Sequence, residues 1–240
     1  MKSLFDKLGI YDFLGFIIPG FLGILAAQVI YKDILRISFP MQLNDGFIDS
    51  VILVVISYFV GVIMHELSQI VQERLLKRLW GGFPSERFLL EDDKICSKIE
   101  KQSYYDLAKE VFQIEEGEYD KEKSQLVFDR FRTALQLTGK DKWLQLFNTY
   151  YGMYRNFSTG SLVCFITYFI YTIIYWFKRI VYKVRIADDY SFMVTCIVFF
   201  IFTLILFRRT RRFGETYVKY VFRCFLEYHR SSQSKPKIKN

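Results

Sequence analysis

Residues 47–80 read FIDSVILVVISYFVGVIMHELSQIVQERLLKRLW and change character near their midpoint. Residues 47–64 are almost wholly apolar, and a helix of roughly this length crosses a hydrocarbon core of about 30 Å. From His65 onward, apolar residues recur at helical spacing among polar ones, and no proline or glycine precedes Gly81. The stretch therefore predicts a transmembrane helix that continues as one long amphipathic helix beyond the membrane.

Three other apolar blocks predict three more transmembrane helices, at residues 13–30, 161–177 and 190–207. The whole chain of 240 residues is 52% hydrophobic and 19% aromatic, with a mean hydropathy of +0.14. This excess of apolar residues over a typical soluble domain needs a membrane to cover it. We predict an all-α polytopic membrane protein with four transmembrane helices and a helical cytosolic insert between helices 2 and 3.

The insert is the charged part of the chain, and residues 86–155 predict two to four amphipathic helices. The turns between them are predicted at EEGE and LTGKD. The predicted buried positions are Leu107, Val111 and Ile114 on one face, and Leu126, Val127, Phe131, Leu135 and Leu137 on another. The organisation expected is residues 1–80 for the first two spans with their extension, 81–160 for the helical domain, 161–212 for the last two spans and 213–240 for a basic tail.

The formal net charge of +8 comes largely from Lys and Arg residues beside the apolar blocks. A bilayer surface explains this placement, so we expect membrane lipids as partners and no direct nucleic-acid binding. The same residues favour an orientation with both termini in the cytosol, because basic residues near a span resist translocation. The link after the third span is also basic, and we expect residues 178–185 to prolong that helix to the membrane interface. The four cysteines have no spacing typical of a metal site or a disulfide framework, so no metal or cofactor is predicted.

The first span contains a helix breaker within FLGFIIPGFLG, residues 13–23. Pro19 removes one backbone hydrogen bond, and Gly15, Gly20 and Gly23 offer a face that another backbone can approach closely. Two interpretations remain open: a kink used in packing, and a bend used in gating. We expect the glycine face to hold copies of the chain together as a homo-oligomer. Tyr11 and Asp12 suit an interfacial aromatic residue and a helix N-cap.

His65 and Glu66 resemble the start of an HExxH zinc site, but Gln69 stands where the second histidine would be. The sequence leaves two interpretations for these three residues. They form a polar group at the end of a span, or a coupling point between the membrane and the insert.

YYGMYRNFSTGS, residues 150–161, precedes the third span. Its aromatic residues predict an interfacial belt, followed by a helix start capped by Ser158 or Thr159. The alternative is that Arg155 and Asn156 form a contact site for a partner, a headgroup or a ligand.

The pattern Tyr11-Asp12-x-x-Gly15-x-x-x-Pro19-Gly20, followed by a span that runs into a polar helix with His65 and Gln69, resembles four-span bacterial inner-membrane proteins. Some of those resemble membrane accessory and effector proteins of phage-defence systems. The likeness covers roughly the first third of the chain. It implies an antiviral role without catalysis, in which an oligomer waits for a cytosolic signal or a protein partner and then acts on the membrane.

Two rival function classes remain. A membrane-surface enzyme acting on lipid would draw on carboxylates such as Glu66, Glu73 or Asp129, but the sequence pairs none of them with a nucleophile and base, so no catalytic residue is assigned. A constitutive channel or transporter would usually carry charged residues inside its spans. The near absence of such residues from the four predicted spans argues against this class. We favour an effector or sensor, with a gated pore and a membrane-tethered scaffold as its two forms.

Overall fold

The computed structural model describes residues 13–38, 46–114, 119–139, 142–182 and 190–233, and these contain helices and no strand. Four helical stretches are long and apolar enough to cross a membrane: Gly15–Ile34, Phe47–Arg87, Trp143–Lys178 and Ser191–Gln233. The predicted fold class is confirmed: the chain is an all-α, multi-pass membrane protein with a helical insert between its second and third spans.

Short π-helical segments border the helices of the first two spans. Helix α1 is Ile18–Val29, between the π-helical segments Phe13–Ile17 and Ile30–Ile34. Helix α2 is Phe47–Val71, and it continues through the π-helical segment Gln72–Leu76 into α3, Lys77–Trp80. Gly81 ends this run with a left-handed backbone (φ 73°), a conformation that glycine adopts without strain. The predicted helical extension beyond residue 64 is confirmed.

The insert holds α4, Pro84–Arg87, α5, Lys98–Phe112, and α6, Lys121–Leu137. Ser97 and Glu100 begin α5 with reciprocal side-chain to backbone hydrogen bonds, and Asp120 accepts a hydrogen bond from the Lys123 amide at the start of α6. The predicted turn at EEGE lies outside the described residues.

The last two helices are far longer than a membrane span: α7 is Lys142–Tyr182 and α8 is Ser191–Gln233. Because α7 is continuous, the helix start predicted at Ser158 or Thr159 is wrong. The Ser158 hydroxyl instead donates to the Arg155 carbonyl within the same helix, at 2.7 Å. Helix α7, which contains the third span, extends to Tyr182, in agreement with the expectation that residues 178–185 prolong it. Residues 183–189 lie outside the described residues.

The chain divides into two compact units. The membrane unit is Met1–Arg74 with Gly152–Thr210, and the helical unit is Leu75–Tyr151 with Arg211–Asn240. Residues 213–233, expected from sequence to lie in a basic tail, therefore belong to the same unit as the insert.

The core of the helical unit is aromatic. Phe131 stacks on Phe225 with ring centroids 4.3 Å apart, and Phe222 lies 4.6 Å from Phe88 and 5.1 Å from Phe131. The other large buried members include Tyr104, Leu107, Val127, Phe128, Leu135, Leu144, Val218 and Val221.

Two of the predicted buried positions in the insert are wrong. Leu126 is 46% exposed and Leu137 is 84% exposed, because the inward face of α6 is set by Val127, Phe131 and Leu135. The four-residue spacing of those last three residues is the helical period that defines one face.

Candidate functional site: a polar cluster that joins three helices

Asn156 of α7 lies fully buried in the membrane unit, with 0% of its surface exposed. Its amide nitrogen donates to the Gly15 carbonyl at 2.9 Å and lies 3.2 Å from His65 Nδ1. Its carbonyl oxygen accepts from the Ser68 hydroxyl at 2.7 Å. The Asn156 side chain therefore connects α7, which carries it, both to α2 and to the segment before α1.

Pro19 explains why Asn156 meets Gly15. In an α-helix the amide of residue 19 would donate to the carbonyl of residue 15, but proline has no amide hydrogen. A buried carbonyl left without a donor costs about 1–3 kcal/mol. The Asn156 amide supplies the donor that Pro19 lacks. Pro19 in the first span thus leaves an acceptor that Asn156 in the third span satisfies.

Arg155 lies beside Asn156 and bonds to α2 and the π-helical turn that follows it. Its Nε donates to the Ser68 hydroxyl oxygen at 3.1 Å, and its Nη1 donates to Gln72 Oε1 at 3.2 Å. Its Nη2 lies 3.4 Å from His65 Nδ1. Gln72 is the first residue of the π-helical segment Gln72–Leu76, a type of irregularity that is frequent at functional sites.

The partners of His65 indicate its tautomer. Nδ1 lies 3.2 Å from the Asn156 amide nitrogen, which can only donate, so in the neutral ring Nδ1 accepts and Nε2 carries the hydrogen. Arg155 Nη2 lies within 3.5 Å of both ring nitrogens and does not distinguish them. The Gln69 amide group lies 3.2 Å from His65 Nε2, and the orientation with its oxygen toward the ring satisfies that hydrogen. A protonated imidazole would also carry a hydrogen on Nδ1, and this hydrogen would face the Asn156 amide and the Arg155 guanidinium, which are both donors.

We use the name polar cluster for these groups together: the Gly15 carbonyl and the side chains of His65, Ser68, Gln69, Gln72, Arg155 and Asn156. Four side chains singled out from the sequence, His65, Gln69, Arg155 and Asn156, are brought together here. Glu66 is exposed on the other side of α2 and stays outside the cluster. Sequence reasoning missed Ser68 and Gln72, although both lie on the helical face of His65 at spacings of three and seven residues.

The glycines of the first span contact the second span of the same chain. A Cβ added to Gly20 would overlap the Ser57 carbonyl oxygen, and one added to Gly61 would overlap the Phe16 carbonyl oxygen. A Cβ on Gly23 would lie 2.8 Å from Val60 Cγ1. The predicted close backbone approach therefore occurs within the chain, between α1 and α2. Gly20 and Gly23 do not offer a free face to a second copy, so the expected oligomer contact has to be placed elsewhere.

Further buried polar groups link the other spans. Thr203 of α8 donates to the Ser161 hydroxyl of α7 at 3.0 Å, and Cys164 lies with its sulfur 3.2 Å from the Leu22 carbonyl. The Thr159 hydroxyl is buried without a hydrogen-bond partner among the described residues. The interior of the membrane unit therefore contains several small polar side chains besides the polar cluster.

The cluster is a hydrogen-bonded network that connects side chains of α2 and α7 with a backbone carbonyl of the segment before α1. It contains the Arg155 cation, the His65 imidazole, the Ser68 hydroxyl and the side-chain amides of Gln69, Gln72 and Asn156. Glu73 and Asp129, the other carboxylates considered for an enzyme, are exposed. Within the described ranges, no group of three or more His, Cys, Asp or Glu residues could hold a metal ion.

Comparison with known protein families, curated proteins and solved structures finds no match for this chain.

Proposed function

We propose that this chain is an inner-membrane effector or sensor of phage defence, in which the polar cluster latches the spans until a cytosolic signal or partner protein acts on the helical unit. Both termini and the insert face the cytosol in this proposal, as the distribution of Lys and Arg around the spans favours. The active state is a gated pore.

The observation that carries the proposal is the pair of hydrogen bonds from Asn156 to Gly15 and Ser68. A buried polar network is favourable when every member is satisfied and costly when one partner is removed. Such a network has two states, made and broken, with little between them. This is the property that a latch requires.

The helices that carry the cluster also contribute to the helical unit. The run Phe47–Trp80 and helix α7 each contain residues of both units. Arg155 and Asn156 lie a few residues after Tyr151, the last residue of α7 that belongs to the helical unit. A rotation of α7 of part of a turn would carry Asn156 away from Gly15, so a signal received by the insert has a continuous helix through which to act.

Breaking the latch would expose groups that favour water. The freed Gly15 carbonyl and the Asn156 amide would need new partners, and in a bilayer only water or protein supplies them. Ser161, Thr159 and Thr203 add hydroxyls to the same interior. Hydration of this interior is the physical route from latch opening to a pore. Oligomer contacts in this proposal use the outward apolar faces, such as Val51, Val55 and Phe59 of α2.

The test follows membrane potential with a voltage-sensitive dye in cells that express the chain, before and during phage infection. Wild type should depolarise only on infection. Asn156→Ala should depolarise without infection, because the latch is broken at rest. Pro19→Ala should stay polarised throughout, because its backbone amide can donate to the Gly15 carbonyl, which then keeps a donor even when Asn156 moves away. Ser158→Ala, a matched buried change on α7 outside the cluster, should behave as wild type.

All variants are compared at equal abundance in the membrane fraction. If neither infected wild type nor resting Asn156→Ala depolarises, the pore is excluded. A chain that still protects cells from phage without depolarisation would be a membrane-tethered scaffold instead.

A further inference from the structure

Helix α8 has a regular inward face within the membrane unit. Cys196, Thr203 and Thr210 are buried and lie seven residues apart, so they follow one side of the helix. The opposite side carries Ile201 and Ile205, which are 49% and 56% exposed. In a multi-pass membrane protein this outward apolar face is covered by acyl chains.

The outward face changes from apolar to basic within one turn. Arg208 follows Ile201 and Ile205 at spacings of seven and three residues, so it continues their side of the helix. Arg208 is exposed and forms no ion pair with any residue in the part of the chain that the structure describes. Its guanidinium is therefore available at the level where the apolar face ends.

Arg209 adds a second exposed guanidinium with a defined position. Its central carbon lies 5.9 Å from the centroid of the Tyr154 ring, a placement that fits a cation–π contact. Tyrosine is enriched at the headgroup level of membranes. The aromatic ring positions the Arg209 guanidinium near the end of the apolar face.

We propose that Arg208 and Arg209 bind the phosphate of an anionic phospholipid whose acyl chain lies along Ile201 and Ile205. This lipid site is independent of the proposed latch. Guanidinium groups bind phosphate oxygens through paired hydrogen bonds. A zwitterionic lipid brings its own cation to the site, whereas an anionic lipid is attracted by the net positive charge of both arginines. The two-part surface, apolar then basic, matches the two parts of one lipid molecule.

The test uses native mass spectrometry of the full chain, purified in detergent and supplied with phosphatidylglycerol or phosphatidylcholine of identical acyl chains. Wild type should retain phosphatidylglycerol in preference to phosphatidylcholine. Arg208→Gln with Arg209→Gln should weaken phosphatidylglycerol binding about fivefold for each arginine, which corresponds to ~1 kcal/mol per basic residue near an anionic surface. Binding of phosphatidylcholine, which has the same phosphate but carries its own cation, should weaken less.

A matched control removes the same two charges elsewhere. Arg130→Gln with Arg132→Gln, on α6 of the helical unit, should leave the lipid preference unchanged. Arg208→Lys with Arg209→Lys should keep part of the preference, because charge remains and the planar group is lost. The proposal is overturned if the Arg208 and Arg209 double variant retains phosphatidylglycerol as wild type does, if the control variant loses it equally, or if inorganic phosphate alone displaces the lipid.

Discussion

Asn156 takes the place of a backbone amide that Pro19 cannot supply. The two residues are far apart in sequence, yet the proline leaves a buried acceptor without its helical donor and the asparagine side chain supplies one. From sequence, Pro19 and Asn156 could both be singled out as unusual. Their pairing could not be predicted, since a freed carbonyl in a span is satisfied equally well by water, by serine or by a neighbouring helix.

The pairing predicts non-additive stability. Asn156→Ala should lower the free energy of unfolding by about 1–3 kcal/mol, because it leaves buried polar groups unsatisfied. In a Pro19→Ala background the same change should cost less, because an alanine at that position has a backbone amide that can donate to the Gly15 carbonyl. The measurement is chemical unfolding of the detergent-solubilised protein, followed by circular dichroism, for both single variants and the double variant.

Ser158→Ala provides the control for that cycle, because the Ser158 hydroxyl bonds within its own helix. Its effect should add to that of Pro19→Ala. Equal costs of Asn156→Ala in both backgrounds would show that the asparagine does not compensate for the proline.

At the scale of elements, the contact between α1 and α2 depends on backbone touching backbone. The small residues of the first span were recognisable in the sequence, and so was their role in close helix approach. The helix that they approach could not be predicted, because a glycine face fits the next span of the same chain and a second copy of the chain equally well. Gly61 and Gly160, which receive the first span, had no signal of comparable strength.

A graded series of alanines tests this contact. Gly20→Ala should be the most destabilising, at about 1–3 kcal/mol, because its Cβ overlaps the Ser57 carbonyl oxygen, which the helical backbone of α2 holds in place. Gly23→Ala should cost less, because its Cβ meets the movable Val60 side chain. Gly46→Ala should be close to neutral, since its nearest neighbour is the Asp49 carboxylate at 3.7 Å. Thermal unfolding in detergent ranks the three, and equal shifts for all of them would contradict the packing described.

A second contact between elements, from α5 to α8, should make stability depend on pH. Arg223 Nη2 lies 3.0 Å from Glu100 Oε1, and this contact, with the Ser97 backbone and hydroxyl, lowers the pKa of Glu100 to about 2. A carboxyl whose pKa is lowered by folding stabilises the protein above its ordinary pKa of 4.5, and this contribution is lost as pH falls toward 2. Because both side chains are partly exposed, the contribution is small.

Glu100→Gln should therefore be less stable than wild type at about pH 7, and the difference should shrink as pH falls through about 4.5 toward 2. Melting temperatures of both proteins over this range provide the measurement. Glu227→Gln removes the same charge from an exposed position on α8 and should give a difference that varies less with pH. A constant difference for Glu100→Gln at every pH would rule out the ion pair as its cause.

For the whole molecule, the second half of α8 is the feature that changes the organisation most. Residues 213–233 follow an arginine-rich stretch and precede the basic end of the chain, which suggests a solvated tail. Their apolar residues nevertheless recur at helical spacing, at Val218, Val221, Phe222 and Phe225, and all four are buried with the insert. The pattern was present in the sequence, but only the fold shows that the core of the insert is incomplete without it.

Phe222→Ala should therefore destabilise the helical unit by about 3–5 kcal/mol, the usual cost of removing a large buried aromatic side chain. Tyr220→Ala, at an exposed position on the same helix, should cost much less. Limited proteolysis within the insert, followed by mass spectrometry, reports the difference. Equal protease resistance of Phe222→Ala and wild type would mean that α8 does not complete this core.

Because the helical unit is built from two separate segments of the chain, its core can be completed only after the last span has been synthesised. Its first segment, Leu75–Tyr151, leaves the ribosome before the third and fourth spans, whereas Arg211–Asn240 leaves after them. Phe88 and Phe131 therefore remain without Phe222 and Phe225 until the last span has been synthesised. During this interval the apolar core of the insert is incomplete and its surface stays uncovered by α8, and a chain truncated after residue 210 would keep that surface uncovered for its whole lifetime.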